Sequence, residues 1–171
     1  MTHTHFATAD IIDHNLDTPS CDIQFRSFGR KKFCGKIRTI RCYRDNGLIR
    51  QTFKNPSEGE VLVVDGGGST KSALMGDIIA AYGMNNGWAG IVIYGVVRDS
   101  VMLDTLDFGV KALGTNPSLS SKTCQGETDI TVSFGGVDFI PGHYLYSDED
   151  GILVTEHPLD LGSLKSADQS Y

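Results

Sequence analysis

Val61 to Val64 are four aliphatic residues in a row, and Asp65-Gly66-Gly67-Gly68-Ser69 follows at once. A continuous run of this kind, bounded by turn residues, reads as a buried strand. The glycines behind it form a sharp turn that lets another group approach the backbone closely. A short helix is expected over about Thr70 to Met75, interrupted by Gly76. Asp77 opens a second helix, Ile78 to about Met84, which Asn85-Asn86-Gly87 ends. Gly90 to Tyr94 is a second strand, running on through Gly95 to Arg98-Asp99.

Twenty residues lie between Asp77 and Arg98. A helix of roughly 10 residues carries the chain about 15 Å away, and a strand of roughly 5 residues returns it about 16 Å. The helix start and the strand end therefore meet at one edge of the sheet. In open α/β sheets the carboxyl edge is where ligands bind. Asp77, Arg98 and Asp99 are expected to line one cleft there. Two carboxylates suit a hard cation such as Mg²⁺, and Arg98 with helix N–H groups suits a carboxylate ligand. The same residues also fit a helix cap and a surface ion pair.

The elements around this unit give a β-α-β-α-β order, which favours parallel pairing with right-handed crossovers. Thr8 caps a helix through about Leu16, with Ile11, Ile12 and Leu16 as its apolar stripe. Cys21 to Phe28 is a loop or short strand, Phe33 to Tyr43 a strand, and Leu48 to Phe53 a short helix. Past Asp99, Val101, Met102 and Leu106 share one side of a short helix, and Gly109 to Leu113 is a strand. Asp129 to Phe134, Val137 to Ile140, Tyr144 to Tyr146 and Ile152 to Thr155 are further short strands. Pro141-Gly142 and Asp148-Glu149-Asp150-Gly151 turn the chain between them. Residues 1–159 read as a single domain, and residues 160–171 as a mobile tail.

The net charge of −6 conceals a segregation. Arg26, Arg30, Lys31, Lys32, Lys36, Arg38, Arg41 and Arg44 fall within residues 26–44, which hold no acid. Such a block attracts acidic ligands or RNA, or it is a solvated strand face that balances acidic neighbours, including those of another subunit. Overall acidity and the lack of interleaved aromatics argue against direct nucleic-acid binding. The N-terminus lacks the basic and apolar regions of a secretory signal, and no apolar run reaches the length of a membrane span. Cys21, Cys34, Cys42 and Cys124 are scattered, with no metal-ligand spacing, which fits thiols in a cytoplasmic protein.

Several motifs are approached and missed. The run Gly66 to Ser72 is not a P-loop, because Thr70 precedes Lys71 where glycine is required. It is not a dinucleotide turn either, because Lys71 holds the third glycine position. The turn is expected to shape a pocket floor instead. Asp148-Glu149-Asp150-Gly151 lacks a twelve-residue calcium loop. The tract His3-Thr4-His5 is expected to be disordered.

In order along the chain stand TADIID, SFGRKKFCGKIRTIRCYRDNGLI, VLVVDGGGS, NGWAGIVIYGVVRD and FGGVDFIPGHYLYSDEDGILV. Together they resemble the family of the regulator of ribonuclease activity A (RraA), which also holds class II 4-hydroxy-4-methyl-2-oxoglutarate aldolases. The aldolase pattern of Asp, twenty residues, then Arg-Asp is met by Asp77, Arg98 and Asp99. His143 stands where the family often has Asp. The resemblance implies an α/β fold: a β/β/α sandwich like the swivelling phosphohistidine domain, with a mixed, partly parallel sheet, assembled as a homotrimer or a dimer of trimers. It implies Mg²⁺ or Mn²⁺ on Asp99, with Asp77 holding metal-bound waters. Arg98 neutralises the substrate carboxylate, and N–H groups around Gly76, Asp77, Ile78 and Ile79 complete a cradle for a small 2-oxo acid. Cleavage to pyruvate and decarboxylation of oxaloacetate are the implied reactions. The same scaffold also serves non-catalytic inhibitors of ribonuclease E. Some members are labelled methyltransferases, but no adenosylmethionine site is legible in this sequence.

Overall fold

The computed structural model describes residues 5–166, so His3 and residues 167–171 lie outside it. Strands β1 (Ser20–Cys21), β2 (Arg26–Gly29), β3 (Phe33–Arg41), β4 (Val61–Asp65), β5 (Gly90–Val97) and β6 (Gly109–Thr115) are followed by β7 (Glu127–Thr128), β8 (Val132–Phe134), β9 (Val137–Phe139), β10 (Tyr144–Ser147) and β11 (Ile152–Thr155). Among the described residues four α-helices accompany them: α1 (Thr8–His14), α2 (Gly47–Phe53), α3 (Asp77–Asn85) and α4 (Ser100–Leu103).

The main sheet runs β1-β11-β10-β3-β4-β5-β6-β2, with β7 beside β3; β8 and β9 form a separate hairpin. Neighbours from β3 through β6 are parallel, and the flanking pairs are antiparallel. The fold is thus the expected α/β class with a mixed, partly parallel sheet. Val61 to Val64 are fully buried, because β4 lies mid-sheet with a core on each side. One core holds Leu62, Val64, Ile91 and Ile93 against Phe53, Trp88 and Phe108. The other holds Val61, Val63 and Val92 against Phe33, Phe139 and Leu145.

The sheet curls. Lys111 on β6 donates to the carbonyl of Asp148, in the turn after β10, at 2.6 Å. Those strands are four places apart in the sheet order, or about 19 Å if flat, which no lysine side chain spans.

Local readings need correction at residues 70–75, in α1 and in α4. Residues 70–75 form no helix; they run as bends with an isolated bridge from Ala73 to Val96. Ala73, Leu74 and Met75 are all buried, as an extended segment wedged between neighbours allows and a surface helix does not. Thr8 does not cap α1: the cap is Ala7, and the Thr8 hydroxyl donates to Asp148 Oδ1 at 2.7 Å instead. Leu16 is exposed, beyond the end of that helix. In α4 the buried residue is Leu103, while Val101 and Met102 face solvent. The segment from residue 160 opens with a 3-10 turn, Ser163–Ser166, and Leu161 and Leu164 pack on the cluster of Phe6, Ile11 and Tyr146.

Candidate active site at the carboxyl edge of the parallel strands

Strand β5 ends at Val97, and the chain leaves through Arg98 and Asp99. The segment leading into α3 is fastened to that end. The Leu74 N–H donates to the Val96 carbonyl, and the Arg98 N–H donates to the Met75 carbonyl, each at 2.9 Å. Gly76, which caps α3, is thereby pressed against Asp99. A Cβ added at residue 76 would stand 2.3 Å from Asp99 Oδ2 and 3.2 Å from Arg98 Cγ. Only glycine leaves this space open.

Asp77 is the first helical residue, one peptide from Gly76, and makes no side-chain cap bond. The helix-out, strand-back spacing therefore holds, with the cap shifted by one residue. The first helical bond to Gly76 is the one donated by Ala80, at 3.2 Å. The N–H groups of Asp77, Ile78 and Ile79 have no carbonyl one turn back within the helix. Ile79 is buried and anchors the helix, while Ile78 is exposed.

Arg98 Nε lies 3.5 Å from Asp99 Oδ2, and each side chain keeps about a third of its surface in solvent, 36% and 35%. Asp99 has a left-handed backbone, φ 57° and ψ 39°. Aspartate is among the few non-glycine residues that accept this conformation. Its carbonyl takes the Leu103 N–H at 2.9 Å and so begins α4.

Among the described residues no three His, Cys, Asp or Glu side chains cluster as a full metal cage. The donors at this corner are the carboxylate oxygens of Asp99, with Asp77 next to Gly76. Such a set fits a hard cation that keeps most of its waters, as Mg²⁺ does, and does not fit a soft or structural metal.

Two clefts lie elsewhere. One of about 630 Å³ is lined by Gly35, Lys36, Glu58, Glu60 and Tyr144, towards the amino end of β4. The other, about 390 Å³, is lined by Arg41, Cys42, Tyr43, Asp65, Gly67 and Glu127. Neither is lined by Asp77, Arg98 or Asp99. The glycine turn floors the smaller cleft through Gly67. Burial, with the charges of Asp45 and Asp65, pushes the Cys42 thiol up to about 12, which makes it a poor nucleophile.

The family model described as RraA-like, Aldolase/RraA, matches residues 8–154. The chain belongs to the RraA-like family. A Geobacillus kaustophilus HTA426 protein named S-adenosylmethionine: 2-dimethylmenaquinone methyltransferase is 40% identical, with a TM-score of 0.88 over 90% of this chain and 97% of that one. The RNA-processing inhibitor RraA from Thermus thermophilis is 38% identical, with a TM-score of 0.88 over 91% and 96%. Streptomyces coelicolor RraAS2, an unusual member of the RNase ES inhibitor RraA protein family, is 26% identical, with a TM-score of 0.75 over 96% and 87%. These names span an enzyme and inhibitors, so membership of the RraA-like family settles the scaffold and not the activity. Among the described residues no helix is long and apolar enough to cross a membrane.

The contact of Gly76 with Asp99 escaped the sequence reading. Its only signal was a glycine directly before the helix-opening aspartate.

Proposed function

We propose that the chain is a divalent-metal-dependent lyase of the class II aldolase type. It would cleave 4-hydroxy-4-methyl-2-oxoglutarate to pyruvate and decarboxylate oxaloacetate. The observation that carries this reading is the corner itself: the Asp99 carboxylate seated on Gly76, Arg98 3.5 Å away, and the start of α3 beside both. Asp99 would hold Mg²⁺ or Mn²⁺, and Asp77 would receive hydrogen bonds from water at the same corner. When bound, the metal supplies Lewis-acid stabilisation of developing enolate charge. Arg98 offers a planar fork to the substrate carboxylate, a geometry that lysine lacks. The N–H groups of Gly76, Asp77, Ile78 and Ile79 orient that carboxylate at the helix start. We read the protein as cytoplasmic and as a homotrimer or dimer of trimers.

A second reading is favoured by the 38% identity to the Thermus RraA: a protein that binds and restrains a ribonuclease E-type partner. It requires surface patches and no metal. Pyruvate release from 4-hydroxy-4-methyl-2-oxoglutarate and from oxaloacetate, measured with Mg²⁺ and with EDTA, separates the two. Metal-dependent release is expected. Its absence on both acids overturns the lyase reading in favour of the binding protein.

A further inference from the structure

Three of the eight basic residues in the segment 26–44 are paired with acids in the fold. Arg30 pairs with Asp107 at 2.8 Å, Arg38 with Asp129 at 2.7 Å, and Arg41 with Glu127 at 3.4 Å. Arg44 is among the others, and its surroundings are distinctive. It follows β3, as Lys71 follows β4 and Lys122 follows β6, and among the described residues no carboxylate forms an ion pair with any of the three.

These connections are woven together. The Ala73 N–H donates to the Ser118 carbonyl at 2.8 Å, the Ser121 N–H to the Arg44 carbonyl at 2.9 Å, and the Asn46 N–H to the Ser121 carbonyl at 2.9 Å. Arg44 Nε reaches Ser72 Oγ at 3.4 Å, and the hydroxyls of Ser72 and Ser120 are 2.9 Å apart. Lys71 directly precedes Ser72, and Lys122 directly follows Ser121, so each segment brings one exposed cation to a common patch.

The patch is rigid and partly apolar. Asp45 is buried and accepts from the Ser121 hydroxyl, the Thr123 N–H and hydroxyl, and the N–H groups of Gly47 and Cys124. Tyr43 is 63% exposed and Leu119 66% exposed. Arg44, Lys71 and Lys122 are three exposed cations close in the weave on a chain of net charge −6.

We propose that Arg44, Lys71 and Lys122, with Tyr43 and Leu119, form a docking surface for an acidic polypeptide segment of a partner protein, one that carries apolar side chains between its acids. Charge complementarity selects an anionic partner, and the two apolar residues select one with side chains to bury. A single-stranded nucleic acid would need a row of stacking rings. The patch offers Tyr43 alone. The surface stands whether or not the corner is a lyase.

The test is fluorescence anisotropy with a short labelled Glu/Leu/Phe peptide, its Gln-for-Glu counterpart, and a labelled single-stranded RNA of similar length. Binding of the acidic peptide is expected. It should weaken steeply as salt rises from about 0.01 to about 1 M, which cuts the screening length from about 30 to about 3 Å. The variant Arg44→Glu/Lys71→Glu/Lys122→Glu should weaken binding at least about tenfold, because three exposed charges reverse sign together. The variant Lys31→Glu/Lys36→Glu/Lys54→Glu changes the net charge equally and should bind as wild type does. No binding of the acidic peptide, binding of the RNA in its place, or equal losses in the two variants overturns the proposal.

Discussion

At Gly76 a hydrogen stands where any other residue would place a carbon 2.3 Å from the Asp99 carboxylate. Gly76→Ala should therefore displace that oxygen while leaving both cores alone. The partly exposed carboxylate can swing aside at little cost in stability, so Mg²⁺ affinity measured by titration calorimetry is expected to fall while the unfolding midpoint stays close to that of the wild type. Asp99→Ala should be more severe, about 10² to 10³ in turnover, and Arg98→Lys should also damage pyruvate release because the fork is lost. Both variants should stay folded by circular dichroism, since each side chain is partly in solvent. A ribonuclease partner held on another surface should still bind them. The approach of the start of α3 to the end of β5 was legible in the sequence because it depends only on the lengths of one helix and one strand. The part played by Gly76 was not legible, because it is set by a neighbour distant in the chain.

At the scale of elements, the segment 70–75 and helix α1 show where local pattern misleads. Residues 70–75 have helical composition, yet pairing with Val96 and with Ser118 satisfies their backbone as an extended segment. Thr8 has the look of a cap, yet its N–H and hydroxyl both donate to Asp148, at 2.7 Å each. Tertiary hydrogen bonds won over the local ones, and no sequence window contains both partners. The Thr8–Asp148 latch has a pH signature. Burial alone would raise the Asp148 carboxyl, but the donors from Thr8, Asp150 and Gly151 outweigh it and hold the group below its ordinary 3.8. A depressed carboxyl lends its full stability above the ordinary value and loses it as pH falls through the lower folded one. Docking of α1 should accordingly weaken below about pH 4. Thr8→Ala, which removes a hydrogen bond to a charged group, should cost about 1.5–3 kcal/mol. Urea midpoints of both proteins at neutral and acid pH check this: the gap between them should narrow in acid. An unchanged gap would deny the latch its charge.

For the whole molecule, fold class was readable because a four-residue aliphatic run and a β-α-β-α-β order leave few arrangements. The curl was not readable, because it arises from how β10 and β11 add to the far side of β3. Assembly belongs to this scale too. Ile78, Val101 and Met102 are exposed on the two helices that begin at Asp77 and just after Asp99. Apolar side chains gathered in this way mark association surfaces. Light scattering at micromolar concentration should report an oligomer, and a monomer would refute it.

The lysine that bridges the curl also makes the protein its own clock. Lys111 is 2% exposed, with its amine tied to the Asp148 carbonyl, whereas Lys54 lies in the open. An amine-directed reagent reaches Lys54 at once but reaches Lys111 only in molecules whose sheet has momentarily unrolled. The ratio of the two methylation rates, read by mass spectrometry, therefore counts unrolling events in the native population. Equal rates would mean that the roll stands ajar in solution.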